Sequence, residues 1–216
     1  DTETVSLANR ALLGIGLAIS GSDAFYVSTD DPDFHRVILL LQDPTIRKVW
    51  HNAPFDIRVL RPYKVDYSNV DDTAVMARIL GGSGALEDCS YWVGRQTTTA
   101  KNLMAQHNVK DMAHLPPDIL AAKCCTDAQA TYLLADYFPS KGLSMEYYER
   151  ERHIIPMLEL ISQPGIRLDQ ERRAELEELY SRDFAYYLTQ ARGFGFEPSA
   201  NRQVGYVLAS RGNFLP

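Results

Sequence analysis

Cysteine is scarce in this chain of 216 residues: Cys89, Cys124 and Cys125 are the full set, and they fit no zinc-type spacing. An odd number without a framework argues against a disulfide scaffold and for a reducing compartment. The adjacent Cys124 and Cys125 read as small core residues or as residues lining a helix. Long apolar runs are missing as well. The longest, Ala11 to Ile19 and Val37 to Leu41, are too short to span a bilayer, so no membrane partner is expected. No charged-then-apolar leader opens the chain, and export is not expected. Nor is there a basic excess: 22 Lys and Arg stand against 28 Asp and Glu, a formal net charge of -6. That balance is unexpected for a protein that grips long duplex DNA through its phosphates. It suits one that holds a few nucleotides and offsets phosphate charge with metal ions, or a fragment whose basic cleft lies elsewhere. No internal repeat or low-complexity tract appears.

Hydrophobic residues make up 45% of the chain, enough for a sizeable core. Ala11 to Ile19 reads as a buried strand, Gly21-Ser22-Asp23 as a turn and Ala24 to Ser28 as the returning strand. The first residues form, or end, a preceding strand. Asp31-Pro32-Asp33 starts a helix through Leu41, and Arg47 to His51 is a short strand. Pro54 suits the first turn of a helix that sends Phe55, Val59 and Leu60 to the core. Asp71-Asp72-Thr73 offers caps for a helix from Ala74 to Leu80 that stops at Gly81-Gly82. Short helices are expected around Cys89 to Val93 and Ala100 to Gln106. Pro116-Pro117-Asp118 opens a long helix ending near Pro139 to Gly142. Beyond it, one helix is expected from Ser144 to Ile161, ending at Gln163-Pro164-Gly165. A short strand Ile166-Arg167-Leu168 follows, then a helix capped by Asp169 running toward Arg192, a break at Gly193-Phe194-Gly195, and a last helix from Pro198-Ser199-Ala200-Asn201 through Leu208. Early strands and late helices around a mixed sheet indicate an α/β domain over residues 1–142. Residues 143–216 read as the start of a further domain.

Four acids from three distant segments carry the chemistry. On a strand Asp1 and Glu3 point to one face and Thr2 to the other, so one ion can be held by both acids. Asp56 lies about one helical turn after Asn52, just past a strand end, where α/β proteins place ligand groups. Asp127 approaches from a helix. Four carboxylates held close without cations repel one another, and metal binding removes that penalty. Oxygen ligands favour magnesium or manganese over zinc. Two such ions polarise a water and stabilise both the attacking and the leaving oxygen of a phosphodiester. Taken singly, each of these acids also reads as an ordinary surface acid among 28.

The ordered set resembles a known family. Asp1-Thr2-Glu3-Thr4-Val5-Ser6-Leu7 is similar to the first exonuclease motif of the proofreading domain in bacterial and phage family-A DNA polymerases. His51-Asn52-Ala53-Pro54-Phe55-Asp56 resembles the second motif, Asp72-Thr73 the D-T pair that follows, and Lys123-Cys124-Cys125-Thr126-Asp127 stands at the third. Pro164 to Asp169 and Phe196 to Gln203 look like segments that begin the polymerase thumb. The resemblance implies a ribonuclease-H-like fold of DnaQ type with flanking helices, followed by a partial helical thumb. It implies a metal-dependent 3′–5′ exonuclease that removes mispaired 3′-terminal nucleotides during DNA replication in a bacterial cell, or in an infected cell if phage-encoded. Asp1, Glu3 and Asp127 would hold one Mg2+ or Mn2+, and Asp1 would reach a second, supported by Asp56 through water. Thr4 and Leu7 would contact the terminal nucleotide, Leu7 wedging against its base, while Asn52 and Phe55 would position the adjacent backbone and sugar. Leu7 and Phe55 also read as core residues, and Asn52 as a cap. The implied partners are a single-stranded 3′ end of DNA and the remainder of a polymerase chain.

The chain departs from the family pattern at one position. The family carries Tyr four residues before the last Asp, where its hydroxyl orients the attacking water; here stands Lys123. Ala122 excludes the variant pattern with His one position earlier. One helical turn separates Lys123 from Asp127, so both can face the site. Lysine only donates hydrogen bonds, so it either binds the scissile phosphate or pairs with a carboxylate. Hydrolysis is accordingly expected to be retained, slowed, retuned or lost. Because Asp1 at a true N-terminus would set an ammonium beside the metals, the natural chain is expected to extend upstream. Two other readings stay open: an RNA-trimming exonuclease of the same superfold, which needs no thumb, and a catalytically weakened DNA-binding or structural module.

Overall fold

The computed structural model describes residues 1–162 and 165–210. It divides into two compact units, Asp1–Pro164 and Gly165–Pro216. The first is α/β. Strand β1 (Thr2–Thr4) pairs antiparallel with β2 (Leu12–Ala18), which pairs antiparallel with β3 (Ala24–Ser28). Helix α1 (Phe34–Gln42) leads to β4 (Lys48–Trp50), then α2 (Ala53–Leu60), β5 (Val70–Asp72) and α3 (Thr73–Ile79). The β4–β5 pair is parallel, with Trp50 opposite Asp72. Short helices α4 (Leu86–Ser90) and α5 (Ala100–His107) precede the 24-residue α6 (Pro117–Ser140), followed by α7 (Met145–Arg152) and α8 (Ile155–Ser162). Among the described residues, no helix is long and apolar enough to cross a membrane.

Helix α6 shows how the sequence sets the core. Its buried positions Leu120, Cys124, Asp127, Ala128, Ala130, Thr131, Leu134, Ala135 and Phe138 follow the helical repeat, a single stripe down one side. One stripe position is an acid, which marks that turn as something other than packing. The stripe lies close on β2 because residue 16 is glycine: a Cβ there would stand 2.7 Å from the Cys124 sulfur and 2.8 Å from its carbonyl oxygen. Val37, Trp50, Ile57, Leu60 and Ile155 make a core of strand and helix residues, while Met76, Phe138 and Tyr148 anchor a second one. Each such buried side chain contributes about 1.5–3 kcal/mol of transfer free energy.

Three sequence expectations meet a different structure. The single helix from Ser144 to Ile161 is two helices, broken at His153 and Ile154. Pro156 lacks an N–H and its ring opposes the carbonyl one turn back, so α7 cannot run on. No strand forms at Ile166 to Leu168; Ile166 is 92% exposed, with no neighbouring strand among the described residues. The expected helix end at Gln163-Pro164 lies outside the described residues. Strand β5 was not expected, since three residues ending in two acids carry no alternation; parallel pairing with β4 makes it a strand.

The first unit runs past residue 142 and takes in α7 and α8. Within it, α7 and α8 are held by polar groups as well as apolar ones. The buried Tyr148 hydroxyl donates to Asp71 Oδ1 (2.8 Å) and accepts from the Asp72 N–H (2.9 Å). Buried Glu159 pairs with Arg61 (2.5 Å) and Arg58 (3.6 Å), tying α8 to the end of α2.

The second unit consists of α9 (Gln170–Gly193) and α10 (Asn201–Ser210). Asp169 Oδ1 accepts from the Arg172 N–H at 2.9 Å, the cap expected from sequence. Gly195, at φ 86°, takes the left-handed turn after the helix.

Candidate active site

Strand β1 sends its side chains to two places. Glu3 points toward α6, where Lys123 Nζ donates to Glu3 Oε1 at 2.5 Å and to Asp127 Oδ2 at 2.8 Å. Glu3 and Asp127 are buried, and the Lys123 side chain is 12% exposed. Burial alone would lower the lysine pKa, but the charges of Glu3 and Asp127 overturn this and hold it above its ordinary value, so the ammonium is kept. Asp127 Oδ1 is buried and has no hydrogen-bond partner. Asp1 lies on the same side: its Oδ2 accepts from the Cys124 thiol at 3.2 Å. One ligand atom each from Asp1, Glu3 and Cys124 falls within 4.8 Å of the others.

Asp56 reaches β1 elsewhere. Its Oδ1 accepts from the Thr2 N–H (3.0 Å) and the Thr2 hydroxyl (2.7 Å), so it stands at the residue between Asp1 and Glu3. Burial pushes its pKa up to about 6, against the lowering effect of the two Thr2 bonds. Helix α2 is aimed by a further buried acid. Asp72 accepts from the N–H groups of Asn52 (3.0 Å) and Ala53 (2.9 Å) at the start of α2, and from Ala74 (2.8 Å) at the start of its own helix. One carboxylate thus caps α2 and α3 together.

The remaining expected site residues take varied positions. Leu7 is 80% exposed, so the core reading does not hold for it. Phe55 is half-buried on the first turn of α2. Asn52 is exposed, in the left-handed region at φ 68°, and precedes α2 without a side-chain cap bond; its amide is free of the capping role that Asp72 fills. Thr4 is buried and its hydroxyl donates to the Ser6 carbonyl at 3.4 Å. Two residues beside the site escaped sequence reasoning. Cys124 joins the Asp1 and Glu3 cluster; its helical position next to Lys123 was the available signal. Tyr26 lies over Gly14, the strand partner of Glu3: a Cβ on that glycine would be 2.4 Å from the Tyr26 oxygen. Burial, then the neighbouring Cys124 and Glu3, push its phenol up to about 12.

The geometry is that of buried carboxylates from a strand and a helix meeting beside a strand end. The 3′–5′ exonuclease family profile matches residues 1–142. The chain belongs to this family, the 3′–5′ exonuclease domain of family-A DNA polymerases. It is also 28% identical over 235 aligned residues to a DNA polymerase I of Chloroflexus aurantiacus, an alignment covering 98% of this chain and 25% of that protein. The chain therefore spans about a quarter of that relative's length. The exonuclease match ends at residue 142, and the alignment with the relative continues past it.

Proposed function

We propose that the chain is the proofreading part of a bacterial, cytoplasmic family-A DNA polymerase: a ribonuclease-H-like 3′–5′ exonuclease that hydrolyses the last phosphodiester of a frayed single-stranded 3′ end with the help of divalent ions. The meeting of Glu3, Asp127 and Lys123 carries the reading, because buried acids from β1 and α6 converge where Asp1 also points. The alignment over 98% of the chain supports a polymerase context, in which residues 143–216 begin the thumb.

The donor set fits Mg2+ or Mn2+. Asp1 and Glu3 offer oxygens close together, and Asp127 Oδ1 is a buried acceptor without a partner. In this reading Asp1, Glu3 and Asp127 would hold one ion and Asp1 would reach a second, which Asp56, held at Thr2, would support only through water. Bound ions offset the carboxylate charge, polarise the attacking water and stabilise the leaving oxygen. The chain's own groups do the rest. Exposed Leu7 presents an apolar surface against which the terminal base stacks, and Thr4 borders it. Asn52, whose side chain is not spent on capping, donates to the adjacent backbone, with Phe55 against the sugar. Lys123 restrains Glu3 and Asp127.

That restraint favours a second reading, a nuclease fold that binds DNA with little or no hydrolysis. Digestion of a 3′-labelled single strand with Mg2+ or Mn2+ separates the two. Hydrolysis by the parent, abolished in Asp127→Ala, is the expected result. Metal-independent degradation, or degradation undiminished in Asp127→Ala, contradicts the exonuclease mechanism. An inert parent restored by Lys123→Tyr establishes the weakened module.

A further inference from the structure

We propose that Lys123 is a built-in counter-ion of this acidic site: its ammonium takes the place between Glu3 and Asp127 that a divalent ion would fill, holds the carboxylates together in metal-free solution, and competes with divalent ions for them. The inference rests on the reading of the cluster as a divalent-ion site.

The Lys123 Nζ is 2.5 Å from Glu3 Oε1 and 2.8 Å from Asp127 Oδ2; both acids are buried and the lysine side chain is 12% exposed. Two buried carboxylates that face each other need a positive charge between them, and here the polypeptide brings one. Lys123 and Asp127 are one turn apart on α6, so the same helix delivers cation and anion in a fixed relation. An ion ligated by either of these oxygens would come within roughly 5 Å of the ammonium, given ordinary metal–oxygen distances, and the two cations would repel in a site with little water between them. Binding is weakened and not forbidden, because Asp127 Oδ1 has no partner and Asp1 is not held by the lysine. A tyrosine at this position would bring no charge, and the acids would then depend on metal for their neutralisation.

The test uses the full 216-residue chain, calorimetric titration with Mn2+, and thermal unfolding in EDTA or in Mn2+. Parent Tm is expected to change little between the two buffers. Lys123→Met, similar in length and uncharged, is expected to lose roughly 6–12 °C in EDTA. It should recover most of that in Mn2+ and bind Mn2+ about tenfold more tightly than the parent. Lys123→Arg, which keeps the charge, should behave as the parent does. The inference is overturned if Lys123→Met is as stable as the parent in EDTA, or if it fails to fold in both EDTA and Mn2+. Equally tight Mn2+ binding by parent and Lys123→Met overturns the inference and leaves the metal-site reading standing. Absence of Mn2+ binding in both removes that reading as well. Loss of the tightened binding on adding Asp127→Asn to Lys123→Met supports both.

Discussion

The two sides of β1 treat buried acids in opposite ways. Toward α6, Glu3 and Asp127 share a full positive charge on Lys123. Toward α2, Asp56 and Asp72 meet hydrogen-bond donors: Thr2 for the first, the N–H groups at two helix starts for the second. Neutral donors satisfy oxygen lone pairs without cancelling the charge, so burial still pushes the Asp56 carboxyl up to about 6. A cation offsets it only in part, since burial still raises the Asp127 carboxyl beside Lys123, and at the same time it repels another cation. The α2 side is thus built for position and the α6 side for charge.

The largest expected effect tests position. Asp72→Ala strips the acceptor from the buried Ala53 and Ala74 N–H groups, at the starts of α2 and α3, and from the Asn52 N–H. A stability loss of about 3–5 kcal/mol is expected from two unsatisfied buried donors and two lost caps. Urea unfolding measures it. A loss below about 1 kcal/mol would show that these helices are held by packing alone, and the contrast between the two sides would lapse.

A smaller effect, of opposite sign, tests charge. Between the ordinary carboxyl value of 3.8 and about 6, folded Asp56 keeps a proton that the unfolded chain has released. Stability therefore falls as pH rises through that window, and above pH 6 the full penalty is present, on the order of 3 kcal/mol. Asp56→Asn keeps an oxygen for both Thr2 bonds and removes the charge. In EDTA at pH 7 it should be more stable than the parent by about 1–2 kcal/mol, with the advantage shrinking as pH falls from 6 to 4. Unfolding free energies of both chains across pH 4–7 decide the matter; an advantage that is absent, or that does not vary with pH, removes the claim that Asp56 pays for burial as an anion.

Much of this architecture is legible in the sequence because it follows from local rules. The hairpin of β2 and β3 shows in an apolar run, a Gly-Ser-Asp turn and a second apolar run; α6 shows in Pro-Pro-Asp and its stripe; α9 shows in Asp169. Alternation along β1 separates Asp1 and Glu3 from Thr2, as the hydrogen bonds have it. Illegible features depend on what comes near. Strand β5 exists by pairing with β4, and Ile166 to Leu168 has the composition of a strand but, among the described residues, no strand beside it. That Lys123 would grip two acids, that Asp56 would settle on Thr2 and that Cys124 would stand against Asp1 depend on how closely α6 and α2 approach the sheet. For α6 that approach is set by Gly16, a residue that carries no chemical signal.

The smallest expected effect concerns the third member of the cluster. Cys124 brings a sulfur as near to Asp1 and Glu3 as a shared ligand would be. Its thiol donates to Asp1 Oδ2 at 3.2 Å, and burial raises its pKa well above the ordinary thiol range, with Glu3 adding to the rise. A protonated thiol is a poor ligand, and sulfur is a poor match for hard ions in any case. Cys124 therefore belongs with the neutral donors of the α2 side, although it sits on α6. Cys124→Ser keeps a donor to Asp1 in a smaller atom and should change Mn2+ affinity by less than about threefold, with a stability loss near 1 kcal/mol or below. A drop in Mn2+ affinity of about tenfold or more would make the sulfur a ligand and redraw the division between charge on one side of β1 and position on the other.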